Sequence, residues 1–130
     1  MSREILQPAG WARPRGYANG IAAQGRQVFV AGQIGWDAEQ RFVSDDFAVQ
    51  VRQALANVVA VLGCAGARPE HLVRMTWYVT SRDEYNASLA EIGAAWRELI
   101  GRTYPAMSVV VVAGLLEPRA KVEIEATAVV

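Results

Sequence analysis

The sequence predicts an α+β fold in which a mixed β-sheet carries two helices on one face, and three observations predict it. Two stretches, beginning at Asp45 and at Ser81, place apolar residues at three- and four-residue spacing, the period of an amphipathic helix. Two others, 72–80 and 121–129, alternate along the chain as a strand with one better-buried side does. The segments follow one another as β-β-α-β-α-β-β, which suits a sheet with both helices on one side. Helix-containing connections favour parallel pairing of the strands they join.

Tyr17 to Gln24 and Gln27 to Gln33 are runs of small and β-branched residues around Gln24-Gly25-Arg26, where Gly25 is free to take a positive φ. They predict two strands joined by a hairpin turn. From Asp45 to about Leu62 the helical stripe is Phe47, Val51, Leu55, Val58 and Leu62, with Ser44, Asp45 and Asp46 as cap and dipole partners and Gly63 or Gly66 as the stop. Leu72 to Thr80 sets Arg74, Thr76, Tyr78 and Thr80 on one face and Val73, Met75, Trp77 and Val79 on the other. The second helix starts at Ser81, whose spacing to Glu84 makes a Ser-x-x-Glu capping box. It shows Tyr85, Leu89, Ile92, Trp96 and Leu99 on one stripe before Gly101. Met107 to Val112 is almost continuously β-branched, the pattern of a central strand covered on both faces. Lys121 to Val129 turns Glu123, Glu125 and Thr127 one way and Val122, Ile124, Ala126 and Ala128 the other. With both helices on one face the second face needs a cover, and self-association is the expected one.

Gly and Pro are scattered singly, without a linker or repeat, so residues 1–130 are expected to form one domain. The balance of 13 basic and 13 acidic side chains lacks the footprint of a phosphate-gripping protein, and nucleic acid is not an expected partner. The single Cys64 excludes an intrachain disulfide, and with one His the ordinary zinc spacings are missing, which points to a reducing compartment and no structural zinc. Met1-Ser-Arg-Glu-Ile-Leu lacks the apolar core of a signal peptide, and no uninterrupted apolar run approaches the ~18 to 20 residues of a membrane span. A cytoplasmic protein with no membrane partner is expected.

Phosphate-loop, dinucleotide and nucleophile-elbow motifs do not occur, so phosphoryl, hydride and serine-hydrolase chemistry lack support. His71, between a Pro-containing turn and a strand, reads as a surface or capping residue. Cys64, in Gly63-Cys64-Ala65-Gly66 with no neighbouring cation, reads as a small packed thiol. Glu123 and Glu125 point the same way from one strand; one of them could polarise a water, or both could belong to a solvated face. Gly32, at the end of Phe29-Val30-Ala31-Gly32-Gln33, either lets a ligand approach the backbone or simply makes a turn.

Several of these segments together resemble the RidA family, also called YjgF or L-PSP, along nearly the whole chain. They are Gly16-Tyr17, Val30-Ala31-Gly32-Gln33-Ile34, Gln50 with Ala54-Leu55-Ala56-Asn57-Val58, Tyr104-Pro105-Ala106-Met107-Ser108, and Val122-Glu123-Ile124-Glu125-Ala126-Thr127-Ala128. The resemblance implies a chorismate-mutase-like fold, a homotrimer with a central barrel made from three sheets, and small-ligand clefts at the subunit interfaces. It also implies hydrolysis of reactive enamines and imines to a carbonyl product and ammonia, with no cofactor and no metal. Carried over by position, Tyr17, Gly32, Ala90, Met107 and Ser108 would bind substrate, and Glu123 would be the catalytic, water-positioning carboxylate.

Two positions depart from the pattern. Met107 stands where the family's deaminases hold the substrate carboxylate with an Arg, a charge-assisted pair worth about 2 to 5 kcal/mol. Ala90 stands where an Asn often faces the cleft. A pocket remodelled for a more apolar metabolite is expected, with Tyr17, Trp77 or Trp96 as stacking surfaces, although Trp96 at helical spacing reads first as core. Arg13 and Arg15, and less directly Arg102, are the cations that could replace the missing guanidinium. The expected function is therefore binding of a small metabolite in an intersubunit cleft, with hydrolysis of an enamine or imine through Glu123 left open by the changed site. A non-catalytic binding or regulatory trimer is the alternative, and an endoribonuclease or translation inhibitor a minor one.

Overall fold

The computed structural model describes residues 2–130. Ten elements follow one another: β1 (Ser2–Leu6), β2 (Gly20–Gln24), β3 (Gln27–Gln33), α1 (Phe47–Cys64), a 3-10 turn (Pro69–His71), β4 (Leu72–Val79), α2 (Arg82–Ala87), α3 (Leu89–Leu99), β5 (Ala106–Val111) and β6 (Val122–Val129). The main sheet has the order β3-β6-β4-β5, and β1 pairs with β2 in a separate antiparallel ribbon. The fold is α+β with a mixed sheet and its main helices on one face, as the periodicities predict.

The parallel expectation holds for β4 and β5, which pair in parallel across the α2–α3 connection. It does not hold as direct pairing for β3 and β4, because β6 inserts between them, antiparallel to both. The hairpin expected at Gln24-Gly25-Arg26 is instead a corner between two sheets. Gly25 has φ +152°, and a β-carbon there would meet the Val130 carbonyl oxygen at 2.8 Å. Arg26 and Val130 exchange backbone hydrogen bonds, so the chain leaves β2 and the β1–β2 ribbon and enters the β6 ladder as β3, without pairing β2 to β3. Tyr17 lies before β2, in an irregular segment.

α1 starts where its cap chemistry predicts: Val49 N–H donates to Asp46 Oδ2, and Asp46 N–H donates to Ser44 Oγ. Val51, Ala54, Leu55, Val58 and Leu62 are buried in the core between the helices and the sheet. Over its 18 residues the mean hydropathy reaches 1.4, so by length and composition α1 could cross a bilayer, which counting uninterrupted apolar residues overlooks. Here its apolar side is buried in this fold, and Cys64 at its end is exposed, not packed as expected.

The second helix is two helices. Ser88 ends α2 and caps α3 with φ −110° and ψ 13°, a place where serine competes well with helical backbone. Only half of the expected capping box forms: Glu84 N–H donates to Ser81 Oγ, while the Glu84 carboxylate accepts from Lys121 Nζ and ties α2 to β6. On α2, Tyr85 packs edge-on against Phe47 and Trp77. Burial of its phenol raises the Tyr85 pKa above the ordinary value.

β5 is an edge strand, not a central one, with Val110 41% and Val111 51% exposed. Its β-branched run has a helix-side face and an open face, and one chain covers only the first. Phe29, 70% exposed, lies on the same open side, as do Arg74, Thr76, Tyr78 and Glu125, in a depression of about 910 Å³. Tyr78 Oη donates to Glu125 Oε1, which holds the phenol protonated and its pKa above the usual range.

Candidate functional site

On the helix side, α3, the edge of the sheet and the segment before β2 enclose a cleft of about 550 Å³. Local sequence explains its walls. Ala18 N–H donates to the Pro105 carbonyl and Ala18 bridges to Ala106, which pins the Arg15-Gly16-Tyr17 rim to the start of β5. Gly16 turns that rim with φ +78°, where other residues are strained. Met107 pairs with Met75, and Val109 with Trp77, so both β5 side chains share the core-facing side of β4. The α3 residues read from sequence as a core stripe also form a wall. Ile92 and Trp96 are buried, but Leu89 is 54% exposed and faces the cleft.

The wall is strongly aromatic. Trp96 stacks on Tyr104 at 6.0 Å with planes 6° apart, and Trp77 lies 6.3 Å from Trp96. The indole N–H groups of Trp77 and Trp96 are buried without an acceptor. Among the lining residues two are cationic, Arg15 and Arg97, and none is acidic. A second groove of about 750 Å³ shares Gly16, Tyr17 and Tyr104 with the first and holds Arg13 and Arg102, also without an acid. The neutral overall balance therefore conceals a locally cationic region.

The structure brings Tyr17, Met107, Trp77, Trp96 and Arg15 together in this cleft. It does not bring in Ala90, which is exposed on α3 outside the lining, or Ser108, which turns to the open face with Thr76. Glu123 and Gly32 lie elsewhere too, side by side where the β3–β6 register shifts between Val30 and Gln33. A β-carbon at position 32 would sit 2.6 Å from Glu123 Cδ, so the missing side chain of Gly32 is the space the carboxylate occupies. Gly32 is thus a packing requirement of Glu123 and not a simple turn. Gly32→Ala is expected to displace that carboxylate and lower any activity that depends on it, by about tenfold or more. Kinetics alongside a melting curve check this; full activity would show that the contact is irrelevant.

Glu123 pairs with Tyr78, on the strand face opposite Trp77 and Met75. Within one chain, the carboxylate and Met107 are on opposite sides of the sheet. His71 acts as a cap, its Nδ1 accepting from Arg68 N–H. Sequence reasoning missed Arg97, and the signal that marks it is Gly93, one helical turn earlier on the same face.

Comparison with known proteins gives a consistent family. Residues 11–130 match the family model described as endoribonuclease L-PSP. The 2-iminobutanoate/2-iminopropanoate deaminase of Salmonella typhimurium is 34% identical over 129 residues, covering 99% of this chain and 98% of that protein. The Escherichia coli K12 protein of the same name is 33% identical over 129 residues, with the same coverage of 99% and 98%. Among solved structures, a conserved Rid-family protein of unknown function from Yersinia pestis, YyfB, superposes with TM-score 0.88 and 33% identity over 100% of both chains. Escherichia coli TdcF with bound serine matches at TM-score 0.72 and 30% identity, covering 98% of each chain.

Proposed function

Because the chain belongs to the RidA (YjgF, L-PSP) family, we propose that it binds a small metabolite in the Tyr17–Met107 cleft, completed by a second copy of the chain in a homotrimer. There it hydrolyses an enamine or imine to a carbonyl compound and ammonia. The observation that carries this reading is the placement of Glu123. Its carboxylate is fitted into the gap at Gly32, and its pairing with Tyr78 puts it on the sheet face away from Trp77 and Met75, where a neighbouring copy can meet it.

The chemistry asks little more of the chain. An enamine first tautomerises to its imine. Water adds to the electrophilic carbon and gives one proton to the nitrogen, forming a carbinolamine; its hydroxyl proton then passes through a carboxylate or solvent to the same nitrogen, which leaves as ammonia as the carbonyl forms. Glu123 of one copy would orient that water and carry a proton toward the departing nitrogen, while the cleft of the next holds the substrate body. The exposed Phe29 and Val110 would be buried in the same assembly. The reading includes no cofactor, metal, nucleic acid or membrane, and a cytoplasmic location. It leaves out ribonuclease activity, since the chain's one histidine caps a 3-10 turn and lines neither cationic groove.

Met107 favours a second reading, a binding or regulatory trimer without turnover, because a thioether cannot hold a small substrate's carboxylate. Its mark is saturable ligand binding with no ammonia. Met107→Arg separates the two. If the machinery around Glu123 is competent, the variant gains at least about tenfold in hydrolysis of imines derived from alanine or 2-aminobutyrate. If neither protein releases ammonia while ligand still binds, the hydrolytic reading fails and the binding trimer stands.

A further inference from the structure

We propose that Arg97 and Arg15 together form the anion anchor of this cleft, and that they select a flat, conjugated or aromatic carboxylate over a three- or four-carbon acid. The inference rests on the cleft being the ligand site, and it names the class of ligand.

The charges come first. Arg41, Arg52, Arg68, Arg119 and Lys121 have acidic partners; Arg3, Arg13, Arg15, Arg26, Arg74, Arg82, Arg97 and Arg102 have none within 4.0 Å among the described residues, and of these Arg15 and Arg97 are the ones that line this cleft. Two unneutralised guanidiniums therefore border a cleft with no acid in its lining. Such groups take a carboxylate in planar, paired hydrogen bonds. Arg97 lies in the last turn of α3, where the helix dipole favours a cation. The dipole does not account for Gly93. A β-carbon at 93 would lie 3.2 Å from Arg97 Nη1, so the guanidinium folds back over Gly93 along the cleft wall, and a larger residue there would push its tip aside by a few tenths of an ångström.

The body of the ligand follows from the remaining wall. Trp96 and Tyr104 are stacked, Trp77 adjoins them, and Met107 supplies a deformable apolar floor. A volume of about 550 Å³ exceeds what a three-carbon acid would fill. Planar carbon with a carboxylate at one end meets each of these demands.

The test is binding of phenylpyruvate, read by quenching of tryptophan fluorescence and by calorimetry, against its neutral primary amide and against pyruvate. Phenylpyruvate is expected to bind saturably, and the amide and pyruvate each at least about tenfold more weakly. Arg97→Gln and Arg15→Gln should each weaken phenylpyruvate by about tenfold or more and leave the amide unchanged. Arg52→Gln, on the far end of an exposed ion pair with Glu98, should change nothing. Gly93→Ala should raise the melting temperature, alanine being the better helix former, and yet weaken phenylpyruvate. Equal binding of acid and amide, or an unaffected Arg97→Gln, or no binding at all, would overturn the anchor. Ammonia release from imines is scored separately. Anchor binding without ammonia leaves the inference standing and removes hydrolysis, and hydrolysis of small imines without phenylpyruvate binding does the reverse.

Discussion

Glu123→Gln is expected to lower the rate of imine hydrolysis by about 10²- to 10⁴-fold while leaving the melting temperature and the assembly unchanged. The amide has the shape of the carboxylate and fills the same gap beside Gly32, so packing at the β3–β6 irregularity is retained. What is lost is the ability to accept and return a proton. Ligand affinity should move little, because the cleft that holds the substrate body lies on the other side of the sheet within each chain. Steady-state kinetics on imines generated in place by an amino-acid oxidase, together with size-exclusion chromatography, read both halves. A variant with full activity would remove Glu123 from the chemistry.

Gln50→Leu should destabilise the fold by about 3 kcal/mol or more. Gln50 is fully buried, and its amide donates to the carbonyls of Ser44 and Arg119 while its oxygen accepts from Lys121 N–H. One side chain on α1 thus gathers the loop before that helix and the loop leading into β6. Leucine keeps the volume and deletes all three bonds, leaving buried backbone groups at a cost of about 1 to 3 kcal/mol each. The Gly35 backbone packs against the stem of the same side chain, where a β-carbon would meet Gln50 Cβ at 2.6 Å. Urea denaturation gives the number, and a loss below about 1 kcal/mol would show that the loops are held by something else.

The sequence made the helix-and-sheet architecture legible because periodicity records which face is buried. α1, β4 and β6 fall where the spacing of Val51, Met75 and Ile124 places them. Pairing is another matter, since period-2 alternation says nothing about a strand's neighbours. That is why β6 between β3 and β4 could not be read, nor the corner at Gly25. β1 escaped notice because Ser2–Leu6 is exposed along nearly its whole length and carries no buried stripe. The Val run of β5 suggested burial on both faces, and within one chain it has cover on one. A single break at Ser88 was hidden by an apolar stripe that continues across it.

The cleft was legible in part. Tyr17 and Met107 were marked by the family pattern, and Arg15 by its place beside Tyr17. Arg97 was not, because a helical stripe containing Leu89, Ile92 and Trp96 reads as core, while in the fold it is also a wall. Ala90 and Ser108, matched by position alone, lie outside that lining. Positional matching transfers a backbone site, but neighbouring side chains decide what the site faces.

The central claim is that this chain turns over an imine despite Met107. The direct measurement is the initial rate of ammonia release by the unmodified protein from the imine of phenylalanine, set against that from the imine of alanine and against spontaneous hydrolysis. The account predicts acceleration of the phenylalanine-derived imine, well above any effect on the alanine-derived one. No acceleration of either imine, under conditions where phenylpyruvate binds, would contradict it.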